Sequence, residues 1–106
     1  VLVKKGEHGS ILFHDSEVCP FPAYPLENAV DPTGAGDSFA GGFVGHVARR
    51  LSKGGRVSER VLKEAVVYGN VLGSFAVEGF SLEKLASITR DDVETRFNHY
   101  RSLITF

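Results

Sequence analysis

The feature that most constrains this chain is the segment Asp31-Pro32-Thr33-Gly34-Ala35-Gly36-Asp37-Ser38-Phe39-Ala40-Gly41-Gly42-Phe43. Five of the 12 glycines fall between Asp31 and Ala48, a stretch with no Lys or Arg. Asn28-Ala29-Val30 before it can run as a short strand. After Gly34, Phe39, Phe43, Val44, Val47, Ala48 and Leu51 recur at three- and four-residue spacing, the signature of one helix face. The segment therefore joins a strand end to a helix start, which points to an α/β architecture.

The rest of the chain supports that reading. Val1-Leu2-Val3 and Ser10-Ile11-Leu12-Phe13 flank a Gly-bounded turn and predict two adjacent strands. Glu17-Val18-Cys19 predicts a weaker third, ended by Pro20, Pro22 and Pro25, since proline donates nothing to a ladder. The helix from Gly34 should stop near Lys53, at Gly54-Gly55. Ser58 can cap a second helix with Val61, Leu62, Ala65, Val66, Gly69, Leu72, Gly73 and Ala76 on its apolar face. Gly69 and Gly73 each lower helix propensity by up to ~1 kcal/mol, so a close neighbour is expected there. Leu82–Ala86 predicts a short helix, and Thr89-Arg90-Asp91-Asp92 a capping box that opens a last helix through about Leu103. Strands followed by three helical segments fit the last part of a doubly wound α/β protein better than an independent domain.

At the joint, glycines let the backbone turn tightly and aim several N–H groups at one point. The first unpaired amides of the helix and its dipole favour negative charge at the same place. A P-loop would need Gly-Lys-Ser/Thr here, and there is no lysine. A dinucleotide fingerprint would need Gly or Ala where Phe39 stands, and would set the Asp37 carboxylate against a pyrophosphate. In a phosphoryl-transfer site the same carboxylate has a use: it can take the proton of an attacking hydroxyl while the amides stabilise the transferring group. The plainer role for Asp37 is a helix cap.

This segment closely resembles the C-terminal signature of the ribokinase-like, or PfkB, family of carbohydrate and nucleoside kinases, Asp-Thr-x-Gly-Ala-Gly-Asp followed by a small and aromatic helix start. Pro32 replaces a common threonine. Val3-Lys4-Lys5-Gly6-Glu7-His8-Gly9 is similar to the family's Val-Thr-x-Gly-x-x-Gly turn, with Lys4 in the place of the usual threonine, and Asn70 resembles a position on the helix beside the adenine. The resemblance covers roughly Val1 to Ser81. It implies the C-terminal part of a ribokinase-like three-layer α/β/α fold over residues 1–106, acting with ATP and Mg²⁺ on a hydroxyl of a sugar or nucleoside. It implies Asp37 as catalytic base, Gly34, Ala35 and Gly36 with the Asp37 amide as anion hole, Lys4, Gly6 and Asn70 along the nucleotide, and Asp31 near an activating monovalent cation such as K⁺. The parent could be a homodimer.

Members of the family run to two or three times this length. Their Asn-x-x-Glu motif, which helps organise Mg²⁺, is absent here, since no Asn is followed three residues later by Glu. Residues 1–106 alone are therefore expected to be catalytically inert. The formal charge is −1, from 12 Lys+Arg and 13 Asp+Glu, which argues against nucleic acid or an anionic membrane surface as partner. No apolar run approaches the ~18 residues of a spanning helix, and the single Cys19 fits a reducing compartment, so a cytoplasmic location is expected. The four histidines lack ligand spacing with one another or with Cys19, which argues against zinc. Arg49-Arg50 reads as a basic helix end that complements the dipole. Two other function classes remain open: a non-catalytic nucleotide-binding module, which the carboxylate of Asp37 opposes, and an NAD-binding oxidoreductase piece, which Phe39 and Asp37 oppose.

Overall fold

The computed structural model describes residues 1–4, 9–14, 16–25, 35–77 and 88–104. The strand expected at Asn28–Val30 and the short helix at Leu82–Ala86 lie outside them, as do Gly6, Asp31 and Gly34. Three strands, β1 (Leu2–Lys4), β2 (Ser10–His14) and β3 (Glu17–Phe21), form an antiparallel sheet in the order β1-β2-β3. Leu2 lies opposite Leu12, and Leu12 opposite Cys19. β3 runs through Pro20, which lies opposite Ile11, instead of stopping before it. An edge strand tolerates a missing N–H because one row of its amides has no ladder partner to lose.

Three helices follow: α1 (Ala35–Ser52), α2 (Glu59–Val77) and α3 (Arg90–Ile104). Their ends follow the local chemistry of the sequence. Gly54, at φ +80°, donates to Leu51 O at 3.0 Å and Gly55 donates to Arg50 O at 2.9 Å, the paired bonds of a Schellman stop. The Val61 amide donates to Ser58 Oγ at 3.2 Å and opens α2. At α3 the Asp92 amide donates to Thr89 Oγ1 at 3.2 Å while the Thr89 amide donates to Asp92 Oδ2 at 2.9 Å, a reciprocal box with Asp in the usual place of Glu.

α1 and α2 lie against each other at close range, and glycine permits it. A Cβ at Gly69 would meet the Phe39 ring and carbonyl at 3.0 Å, and one at Gly42 would meet Tyr68 O at 2.7 Å. The close neighbour expected beside Gly69 is thus Phe39, which is buried there. The core joins Leu12 and Phe21 of the sheet, Phe39 of α1, Val66, Val67, Val71 and Phe75 of α2, and Phe97 and Tyr100 of α3. α2 is its centre: Ala65, Val66 and Val71 are fully buried.

Candidate functional site

Asp37 sits in the first turn of α1, exposed. An exposed carboxylate on the first turn is favoured by the dipole and leaves its oxygens accessible to a ligand. The first amides of any helix have no intrahelical partner, and Asp37 stands beside those of α1. Lys4, the last residue of β1, reaches the same point: its Nζ lies 3.5 Å from Gly36 O and 5.6 Å from the centre of the Phe39 ring. Ala35, Gly36, Asp37 and Lys4 are therefore brought together, although 32 residues separate Lys4 from Gly36.

Asn70 is placed differently. It stands half-buried midway along α2, and its amide donates to the Tyr100 hydroxyl at 3.4 Å. That hydroxyl in turn donates to Pro22 O at 2.5 Å. Burial is the main cause that pushes the Tyr100 phenol up to about 12. Beside it Arg96 lies 3.8 Å over the Phe75 ring and 5.0 Å over Tyr24, and its Nη1 donates to the buried Ser74 hydroxyl at 3.0 Å. Sequence reasoning did not single out Tyr24, Arg96 or Tyr100. The only cue was local, an aromatic and a cation on the polar-rich last helix, and it names no partner.

Two further groupings lie away from Asp37. A cavity of about 300 Å³ between the helices is lined by Gly41, Gly42, Gly45, His46, Arg49 and Tyr68 among others. Arg49, read as a plain basic helix end, faces this space, and His46 Nε2 lies 3.2 Å from Glu64 Oε1. The Tyr68 hydroxyl donates to Glu94 at 2.8 Å, and burial followed by that bond shifts its phenol well upward. At the sheet, tertiary folding gathers Glu17, Cys19 and Glu59, whose ligand atoms lie within 4.8 Å of one another. Glu17 is shifted upward by the hydrogen bond and charge it shares with Glu59. Lys63 donates to Glu59 at 2.8 Å and supplies the cation there. A thiol and an ammonium make poor company for Mg²⁺, which prefers hard oxygen ligands.

Known proteins resemble the chain over nearly its whole length. The model of the pfkB family carbohydrate kinase matches residues 1–88. Inositol 3-kinase of Arabidopsis thaliana is 35% identical over 101 residues, covering 91% of this chain and 26% of that protein. The crystal structure of aminoimidazole riboside kinase from Salmonella enterica, complexed with aminoimidazole riboside and an ATP analog, superposes with a TM-score of 0.71 at 29% identity, over 90% of this chain and 30% of that one. Ribokinase from Thermotoga maritima gives 0.65 at 34% identity, over 92% and 29%. The chain thus has the ribokinase-like α/β fold. The chain belongs to the pfkB family of carbohydrate kinases. It spans about 26–30% of the relatives it matches.

Proposed function

We propose that residues 1–106 are the C-terminal, nucleotide-facing part of an ATP-dependent kinase that phosphorylates a hydroxyl of a sugar or nucleoside. The observation that carries this reading is the exposed Asp37 carboxylate on the first turn of α1, next to amides that open the helix. The ATP analog bound in the Salmonella relative supports ATP as donor, and the names inositol 3-kinase and aminoimidazole riboside kinase bracket the acceptor between a polyol and a nucleoside.

In this reading the acceptor oxygen attacks the γ-phosphorus of ATP and its proton passes to a carboxylate oxygen of Asp37. The bond from that phosphorus to the oxygen bridging to the β-phosphate breaks, and ADP leaves with the electron pair. Amides from Gly34 through Asp37 stabilise the equatorial oxygens. Lys4 and Gly6 flank the nucleotide from β1 and the turn after it, Asn70 stands toward the adenine side, and Asp31 serves a monovalent cation such as K⁺. Mg²⁺ supplies charge neutralisation on the phosphates when bound. Among the described residues the one cluster of ligand-type side chains is Glu17, Cys19 and Glu59, which a thiol and the Lys63 ammonium make unsuited to Mg²⁺.

The test is phosphoryl transfer by the whole protein that contains this segment, with ATP and a panel of sugars, polyols and nucleosides. Turnover by the wild type and its loss in Asp37→Asn support the reading. Unchanged turnover in Asp37→Asn removes the base, and undiminished nucleotide binding without any turnover identifies a non-catalytic module instead. Residues 1–106 alone are expected to show no turnover.

A further inference from the structure

The cavity of about 300 Å³ between the helices is lined by none of the residues assigned to phosphoryl transfer. On α1 it is bounded by Gly41, Gly42 and Gly45, and the three glycines are not alike. Gly42 is required by packing, since a Cβ there would meet Tyr68 O at 2.7 Å. A Cβ at Gly41 or Gly45 would meet nothing within 4 Å, so no neighbour among the described residues demands glycine at either place. Each nevertheless lowers the helix propensity of α1 relative to alanine. What both do is widen the cavity. Beside them the His46 and Tyr68 rings stand with centroids 4.6 Å apart, and the His46 side chain, 8% exposed, is fixed by Glu64 at 3.2 Å. Glu94, on the α3 side, accepts from the Tyr68 hydroxyl at 2.8 Å and from Arg90 at 3.3 Å, so its charge is answered. Arg49 differs: it lines the same space, and its guanidinium has no carboxylate partner among the described residues. Aromatic and aliphatic walls with one uncompensated cation, in a volume at the lower end of the about 300–1,000 Å³ usual for such sites, are the makings of a small-molecule pocket.

We propose that this cavity binds a small organic anion, a planar ring carrying a carboxylate or a phosphate, with the ring beside His46, Tyr68 and Leu72 and the charged group on Arg49. A guanidinium meets either head group with two parallel N–H donors. A flat ring fits beside the aromatic pair where glycine leaves the wall low. The binding is reversible and makes no covalent bond. It stands apart from the kinase reading, so Asp37→Asn should bind the anion as the wild type does.

Benzoate, phenyl phosphate and inorganic phosphate are titrated calorimetrically into the whole protein that contains this segment, with ATP at saturation so that anions at the start of α1 do not register. Saturable binding of benzoate, phenyl phosphate or both is expected, tighter than that of inorganic phosphate, and the better of the two names the head group. Arg49→Gln should lower that affinity about tenfold or more, the loss of a charge-assisted contact. Gly45→Ala should lower it comparably by placing a methyl group in the cavity, while its melting temperature holds or rises as the helix gains propensity. Wild-type affinity in either variant, no binding of either ring-bearing anion, or inorganic phosphate bound as tightly as phenyl phosphate overturns the proposal. A lowered melting temperature in Gly45→Ala would give that glycine a packing role and overturn it as well.

Discussion

The two ends of the helical layer handle polar groups in opposite ways. Where α2 and α3 meet the segment after β3, polar side chains pair with one another and with the backbone: Asn70 bonds Tyr100, Tyr100 bonds Pro22 O, and Arg96 bonds Ser74 between two aromatic faces. At the start of α1, Asp37 stands exposed beside helix-opening amides, and Lys4 approaches a pole that repels it. The first arrangement lowers the free energy of the fold. The second leaves a carboxylate and an ammonium exposed to solvent. Among the described residues, the polar groups of the first region are joined in a network, while the charges at the start of α1 face solvent.

The most severe test of that contrast is Asp37→Asn in the whole protein. Loss of a general base costs about 10²–10⁴-fold in kcat, and because Asp37 is exposed the melting temperature should not fall. A melting temperature that drops along with activity would make Asp37 a structural cap and erase the distinction. Next in size comes a pair of neighbours on α1. Gly42→Ala drives a Cβ to 2.7 Å from Tyr68 O and should destabilise the chain by about 1–3 kcal/mol. Gly41→Ala meets nothing within 4 Å and should stabilise it by up to about 1 kcal/mol through helix propensity. Chemical denaturation of both variants decides whether the α1–α2 contact has the tightness assigned to it.

Much of the helical layer could be read from the chain because helix ends are local events. Ser58, the Thr89–Asp92 box and Gly54-Gly55 each act within three to five residues of their partners, and each stands where the sequence puts it. The reading of the joint as an anion-binding turn is local for the same reason: glycines, the missing lysine and Asp37 are contiguous. The contacts that complete both regions are not contiguous. Tyr100 is 78 residues from Pro22 and 30 from Asn70, and Lys4 is 32 from Gly36. No periodicity encodes such pairs; they follow from how α2 and α3 seat on the sheet. Cys19 shows the same limit, since a ligand-spacing rule along the sequence cannot see that β3 sets it beside Glu59 of α2. Pro20 shows a different one: a residue that usually ends a strand is tolerated within β3 because of where β3 stands in the sheet.

Tyr100→Phe probes the satisfied joint directly. It keeps the ring in the core but leaves Pro22 O and the Asn70 amide without their shared hydroxyl, a loss of about 1–2 kcal/mol in urea unfolding. The variant should also change the alkaline limb. The Tyr100 phenol is raised, mainly by burial, to about 12 from an ordinary value near 10. Its contribution is therefore complete below about pH 10 and is lost as pH rises from there through about 12. Tyr100→Phe should flatten that part of the stability profile, and an unchanged alkaline limb would mean that the hydroxyl ionises as freely in the fold as out of it.

The smallest effect belongs at the acid end and concerns a cap exposed to solvent. Asp92 is held below its ordinary value by the Thr89 backbone amide first and the Thr89 hydroxyl second. A depressed carboxyl contributes stability that is present above its unfolded value, about 3.9, and is lost as pH falls through the lower folded value. Thr89→Ala keeps the backbone donor and removes the hydroxyl, so it should narrow this acid window without abolishing it, while Asp92→Asn should remove it altogether. Amide exchange in the first turn of α3, followed between neutral pH and about pH 3, reads the difference even where global unfolding is too insensitive. If Thr89→Ala and Asp92→Asn fray that turn equally at every pH, the box is held by backbone geometry and its charge contributes nothing.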